Sequence, residues 1–153
     1  MMSFFPIYMD MQNLKVLVVG GGHIATEKLE KLVDFTKKIT VISSEISTEA
    51  DTFIEEYALT GYQRAYKKGD IEGFDIVIVA TDTVELHKAI YEESRGSRIL
   101  VNSVDNTEYC DFIFPSYLQK GDLTIAFSTG GASPSFAKQI RFHFEKMIPD
   151  SVG

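Results

Sequence analysis

The apolar positions of this chain fall into short blocks with two different periods. Leu14 to Val19 is apolar except for Lys15 and runs into Gly20-Gly21-Gly22, the pattern of a strand buried on both faces. From His23 to about Phe35, Ile24, Ala25, Leu29, Leu32 and Val33 recur at helical spacing. Ile39 to Ile42 is a second β-branched run closed by Ser43-Ser44, followed by a helix predicted over about Ile46 to Tyr57 and a weak strand near Tyr62 to Ala65. Phe74 to Ala80 is the strongest strand signal, Val84 to Ser94 reads as a helix, and Arg98 to Val101 as one more buried strand. The order β-α-β-α-β-β-α-β predicts a parallel sheet with helices on its faces. After Asn102 the texture changes. Phe112 to Tyr117 and Asp122 to Phe127 suggest a hairpin joined by Leu118-Gln119-Lys120-Gly121, and Ser133-Pro134 opens a helix that reaches Met147. The fold expected is therefore a Rossmann-like α/β domain over 1–110 with a hairpin-helix appendage over 111–153.

Composition narrows the function. The chain has 153 residues, enough for one core, with 15 Lys and Arg against 22 Asp and Glu for a net charge of −7. Such a balance disfavours nucleic acid and membrane surfaces as partners, both of which require a basic footprint. Cys110 is the sole cysteine, so no intrachain disulfide forms and a reducing, cytoplasmic setting is expected. The N-terminal stretch before Lys15 lacks basic residues and a small-residue cleavage site, and no apolar run approaches a membrane span.

Gly20-Gly21-Gly22-His23-Ile24-Ala25 matches G-x-G-x-x-A between a predicted strand and a predicted helix. Gly20 would permit the tight turn, and Gly22 would let the backbone approach a pyrophosphate held by free N–H groups at the helix start, including those of His23 and Ile24. The alternative is a tight turn without a ligand. The acidic residue usual after the second strand is missing. Ser43, Ser44 and Glu45 stand there instead, as ribose partners or as a helix N-cap. No Arg or Lys sits beside them to meet a 2′-phosphate, which favours NAD over NADP. Asp105 follows the strand ending near Asn102, where ligands bind in this architecture, and a carboxylate there can take the proton that accompanies hydride removal. Position alone favours an Asx-turn residue. His23, His87 and His143 show no metal-ligand spacing, His87 and His143 read as helix-surface residues, and neither Tyr-x-x-x-Lys nor G-x-S-x-G occurs.

Three segments together resemble the precorrin-2 dehydrogenase family, which includes the N-terminal part of sirohaem synthase. They are Pro6-Ile7-Tyr8 through Gly22, then Ala80-Thr81-Asp82, then the series Asn102-Ser103-Val104-Asp105, Asp111-Phe112-Ile113-Phe114-Pro115 and Ser128-Thr129-Gly130-Gly131-Ala132-Ser133-Pro134. The resemblance implies oxidation of precorrin-2 to sirohydrochlorin with NAD, and a homodimer formed through the hairpin and last helix. It places Asp105 as the key aspartate, Thr81 beside the cofactor, and Thr129 where some bifunctional members carry a phosphorylated Ser. Ser103 stands where Val is common. Family members usually continue with a helical segment beyond the position of Ile148 to Gly153 that helps cover the tetrapyrrole. Precorrin-2 is a polycarboxylate and this chain is acidic, so a local basic patch is required. Lys120, Lys138 and Arg141 are the candidates, with Thr129 and Gly130 beside them, although each cation also fits an ordinary solvated face. Two other readings stay open: a bifunctional enzyme that also inserts Fe²⁺, and an NAD-sensing module without chemistry, which would need the glycine turn but not Asp105.

Overall fold

The computed structural model describes residues 3–152. Met1, Met2 and Gly153, at the two ends weighed above, lie outside them. The chain divides into two units, residues 7–112, and residues 3–6 together with 113–152.

The first unit is a five-stranded sheet in the order β3-β2-β1-β4-β5, parallel throughout. Its strands are β1 (Val16–Val19), β2 (Ile39–Ser43), β3 (Thr60–Gln63), β4 (Ile76–Val79) and β5 (Leu100–Ser103), alternating with α1 (His23–Leu32), α2 (Thr48–Glu56) and, after β4, α3 (Val84–Ser94). The expected Rossmann-like architecture is what forms. Every residue of β1 and β4 is buried, which is why both read as unbroken apolar runs without alternation. Leu17, Val19, Ile42, Val77, Val79 and Val101 cluster on one face around Ile90 of α3. The alternate residues Val16, Val18, Val41 and Ile78 turn to the opposite face, where α1 and α2 bury Ala25, Leu29, Ala50 and Ile54. Connectivity reverses between β1 and β4, so the crevice at their C-terminal ends is the switch point of the sheet.

β1, β4 and the second strand of the hairpin are shorter than their sequence-based bounds by one or two residues at one or both ends, and three other strands are displaced. β3 starts two residues earlier than expected, because Thr60, two residues after the left-handed Ala58 (φ 53°), already pairs with Thr40. β5 is displaced towards the polar Asn102 and Ser103, which are buried at the strand end, with Asn102 Nδ2 donating to Phe112 O at 3.0 Å. In the second unit the hairpin pairs β6 (Ser116–Lys120) with β7 (Leu123–Phe127) around Gly121 (φ 57°), so Leu118 to Lys120 belong to the strand rather than the loop. Residues 112–115 are left outside it, in keeping with Pro115, which has no N–H to donate. α4 (Pro134–Met147) packs on both hairpin strands, burying Ala137 and setting Phe144 against Phe127 with ring centroids 5.4 Å apart.

His87 is the outright correction. It is 1% exposed, inside α3's inner face, with Nε2 2.8 Å from the carbonyl of Thr81. The helical pattern Leu86, Ile90, Tyr91 already placed position 87 on the sheet-facing side, and its polarity misled the reading. His143 is exposed.

Candidate functional site

The glycine turn separates three requirements that look alike in the sequence. A Cβ on Gly20 would lie 2.3 Å from Ala80 O, and its φ is 133°, so the close passage of β1 past β4 demands glycine. A Cβ on Gly21 would lie 2.3 Å from Glu45 O, so Gly21 lets the turn press against the end of β2. Gly22 has an ordinary extended backbone (φ −97°), and a Cβ there would meet nothing within 4 Å. No protein atom explains why position 22 lacks a side chain. The space beside it is open to solvent or a ligand.

The helix that follows begins bare. α1 has no side-chain cap, and neither does α3, whereas Ser47 caps α2 and Ser133 caps α4. The two uncapped helices are those that leave β1 and β4 at the switch point. Their first N–H groups are therefore left for solvent or an anion. Thr26, buried in α1, fixes the turn by donating both N–H and hydroxyl to Gly22 O at 3.0 Å. The turn thus has a backbone anion cradle and a cleared approach, which fits a dinucleotide pyrophosphate.

His23 stands exposed at the mouth of this turn, with Nε2 3.2 Å from Glu27 Oε1 and Nδ1 3.4 Å from Glu49 Oε2. The Glu49 hydrogen bond and charge, then Glu27, raise its pKa above the ordinary 6.5. Ile24 is exposed beside it. At the end of β2, Ser43 Oγ donates to Glu45 O at 2.7 Å, and Ser44 and Glu45 are exposed. The cap of α2 is Ser47, so neither Ser43 nor Ser44 is spent on that task. Thr81 follows β4, its hydroxyl accepting from Thr83 N at 3.2 Å.

Asp105 lies exposed beyond β5 in a left-handed conformation (φ 64°), one that Asp tolerates better than most side chains. Its loop is closed from beneath. The Cys110 thiol accepts from Ser103 N and donates to Ser103 O, both at 3.2 Å. Asp111 N donates to Val101 O at 2.7 Å, and Val101 N donates back to Asp111 Oδ2 at 2.8 Å. Arg95 grips the same carboxylate with two bonds of 2.9 and 2.6 Å. Burial works against the charged form of Asp111, yet Arg95 and the Val101 N–H outweigh it and hold the carboxyl below its ordinary 3.8. Lys28, half-buried on α1, is pushed below the usual lysine range by burial and by Lys31, while Glu27, Asp105 and Cys110 act the other way. The sequence reading missed Gly21, Thr26, Lys28, Cys110 and Asp111. Only Gly21 and Asp111 lay in motifs already singled out.

The first unit thus brings Gly20, Gly22, His23, Ile24, Ser43, Ser44, Glu45, Thr81 and Asp105 to the C-terminal edge of one sheet. The described hollows of about 410 and 460 Å³ are elsewhere, around Lys37 and Lys38 at the strand starts. Residues 7–116 match the family described as "Putative NAD(P)-binding", over more than half of the chain. The chain belongs to this NAD(P)-binding family. Residues 120–147 of the NAD(P)-binding chain match a second family, described as the central part of sirohaem biosynthesis proteins. Siroheme synthase of Pseudoalteromonas atlantica is 36% identical over 99% of the chain and 33% of its own length. That of Methylococcus capsulatus is 38% identical over 99% of the chain and 32% of its own. The chain spans about a third of the length of these curated relatives. The solved structure of SirC, precorrin-2 dehydrogenase, superposes with a TM-score of 0.81 at 26% identity, covering 97% of this chain and 72% of SirC. The resemblance read from the motifs is therefore supported along the whole sequence.

In the second unit, Lys120 Nζ donates to Glu145 O at 3.1 Å, to Ile148 O at 2.5 Å and to Asp150 Oδ1 at 2.9 Å. All three of its donors are taken at the C-terminal end of α4. Arg141 donates to Ser116 Oγ and Glu145 Oε2 and stacks on Phe142, while Lys138 is exposed. Thr129 Oγ1 accepts from Ser133 N at 2.7 Å, and Gly130 and Gly131 (φ 67° and 88°) complete the turn into α4.

Proposed function

We propose that this chain oxidises precorrin-2 to sirohydrochlorin with NAD⁺, a step towards sirohaem. The observation that carries the reading is Asp105, an exposed carboxylate at the same sheet edge as the uncapped glycine turn. A bound nicotinamide supplies the hydride acceptor. The chain's own part is to hold the pyrophosphate on the α1 N–H groups and to take the accompanying proton on a carboxylate oxygen of Asp105. The Cys110 and Asp111 contacts fix the loop from which that carboxylate projects. The names of SirC and of the siroheme synthases agree with this substrate.

NAD rather than NADP is favoured by the guanidinium nearest in register to the end of β2. Gln63 pairs with Ser43, and Arg64 follows it, but Arg64 is held by Asp70 through bonds of 2.8 and 3.0 Å. Lys138 and Arg141 are the cations proposed to meet substrate carboxylates, with Thr129 and Gly130 as further proposed contacts. Lys120 is better employed in closing α4. The exposed Phe136, Phe142, Phe144 and Met147 of α4 support a homodimer through this unit, which light scattering would test. A cytoplasmic setting accords with the single cysteine, and no described helix is long and apolar enough to cross a membrane.

The test is NADH formation from enzymatically prepared precorrin-2, followed by absorbance with and without Fe²⁺. Turnover without iron supports the proposal, and iron uptake in the second arm would add ferrochelation. NAD⁺ binding without any oxidation would leave a sensing module and refute it.

A further inference from the structure

We propose that His87 is a positioning residue for the cofactor, acting by turning the Thr81–Asp82 peptide so that the Asp82 N–H faces the switch-point crevice. The inference rests on the cofactor reading above. A carbonyl can only accept, so the 2.8 Å contact with Thr81 O requires His87 Nε2 to carry its proton and donate. His87 is buried inside α3, and the Thr81 carbonyl is therefore drawn inward. The Thr81–Asp82 peptide is trans, as are the others among the described residues, and in a trans peptide the C=O and the following N–H point in opposite directions. The Asp82 N–H is thereby turned outward, away from His87. It donates to no group among the described residues.

Its setting is the right one for a ligand. Gly20 passes so close to Ala80 that a Cβ would overlap Ala80 O, which sets the end of β4 against the glycine turn, and the Thr81–Asp82 peptide follows Ala80 in the chain. α3 starts there without a side-chain cap. His87 also carries a cost that packing alone would not select, since its Nδ1 is buried without a partner. An apolar side chain would fill this slot in the core without that penalty. The imidazole gives up that advantage to hold one carbonyl, and the effect of holding it is to aim one donor at the place where an oxygen of the dinucleotide would lie.

The experiment compares wild type, His87→Leu and His87→Gln by calorimetry with NAD⁺, by thermal unfolding, and by the amide resonance of Asp82. Leu removes the donor and the unpaired nitrogen together, while Gln keeps an N–H at similar reach. The Leu variant should unfold no earlier than wild type yet bind NAD⁺ about tenfold more weakly, the loss of one hydrogen bond. The Gln variant should recover most of that affinity. The Asp82 amide should shift on NAD⁺ addition in wild type and Gln but not in Leu. Wild-type affinity in the Leu variant would overturn the inference and leave the cofactor reading standing. So would a parallel fall in stability and affinity that Gln does not restore, which would make His87 a core residue only. A wild type that binds neither NAD⁺ nor NADP⁺ would overturn both.

Discussion

Gly20 and Gly22 are two residues apart in one motif, and alanine at each should fail in opposite ways. Ala at position 20 must place its Cβ 2.3 Å from Ala80 O while keeping φ at 133°. The backbone penalty is about 1–2 kcal/mol, and crowding of this kind usually adds about 1–3 kcal/mol. A chain of this size loses roughly 2–4 °C in melting temperature per kcal/mol, so Gly20→Ala should unfold roughly 4–20 °C early. Ala at position 22 meets nothing within 4 Å at a φ of −97° that any residue adopts. Removing glycine's freedom from the unfolded chain there should stabilise by about 0.4–1 kcal/mol. The new methyl group occupies the approach to the α1 N–H groups, and loss of one charge-assisted hydrogen bond, about 1.5–3 kcal/mol, weakens NAD⁺ binding about 10- to 150-fold. Thermal unfolding by circular dichroism and calorimetric titration with NAD⁺ read the two effects separately. A Gly22→Ala protein with wild-type affinity would refute the claim that position 22 is kept clear for the cofactor.

Asp105→Asn should keep the left-handed loop and NAD⁺ binding while slowing precorrin-2 oxidation by about 10²–10⁴, the usual contribution of a positioned base; an Asn variant that turns over like wild type would make Asp105 a turn residue. Asp111 has a folded pKa below its ordinary 3.8, so its stabilisation is complete above that value and lost as pH falls through the folded one. Asp111→Asn should therefore be less stable than wild type at neutral pH and show a shallower acid-side loss of melting temperature, measured from pH 6 downwards in ~0.5-unit steps. Asp70→Asn should release Arg64 and raise NADP⁺ affinity relative to NAD⁺ by up to about fivefold, the worth of a surface ion pair at the upper end of its range, read by titrating both cofactors.

The sheet was legible because its evidence is local and periodic. β1 and β4 are buried on both faces and appear as runs of Val, Leu and Ile, and α4 carries in Ser133-Pro134 a start signal that matches its observed first residue. The strands placed less well are those whose bounds come from pairing. Asn102 and Ser103 look like loop residues until Ile78 and Val79 are seen opposite them. In the site, the glycine turn and Asp105 announce themselves by residue type. Lys28, Cys110 and His87 do not, because their parts depend on contacts across the fold, such as Cys110 closing on Ser103 seven residues away. The three glycines show the same limit within a single motif, since only the neighbours Ala80 and Glu45 distinguish the two that the backbone needs from the one it does not.

If the uncapped starts of α1 and α3 bind a dinucleotide as proposed, the cofactor would be a folding partner as well as a reagent. A ligand that binds those bare N–H groups only when the helices exist adds its binding energy to the folded state alone. At a hundredfold excess over its dissociation constant it contributes about 2.7 kcal/mol, a sizeable share of the roughly 5–15 kcal/mol that holds a domain folded. A serine cap on each helix would have built a fraction of that stability into the chain permanently. On the function proposed, the lifetime of an uncapped copy would follow the nicotinamide dinucleotide concentration around it, and scarcity of the dinucleotide would be felt as loss of folded chain before it was felt as slower chemistry.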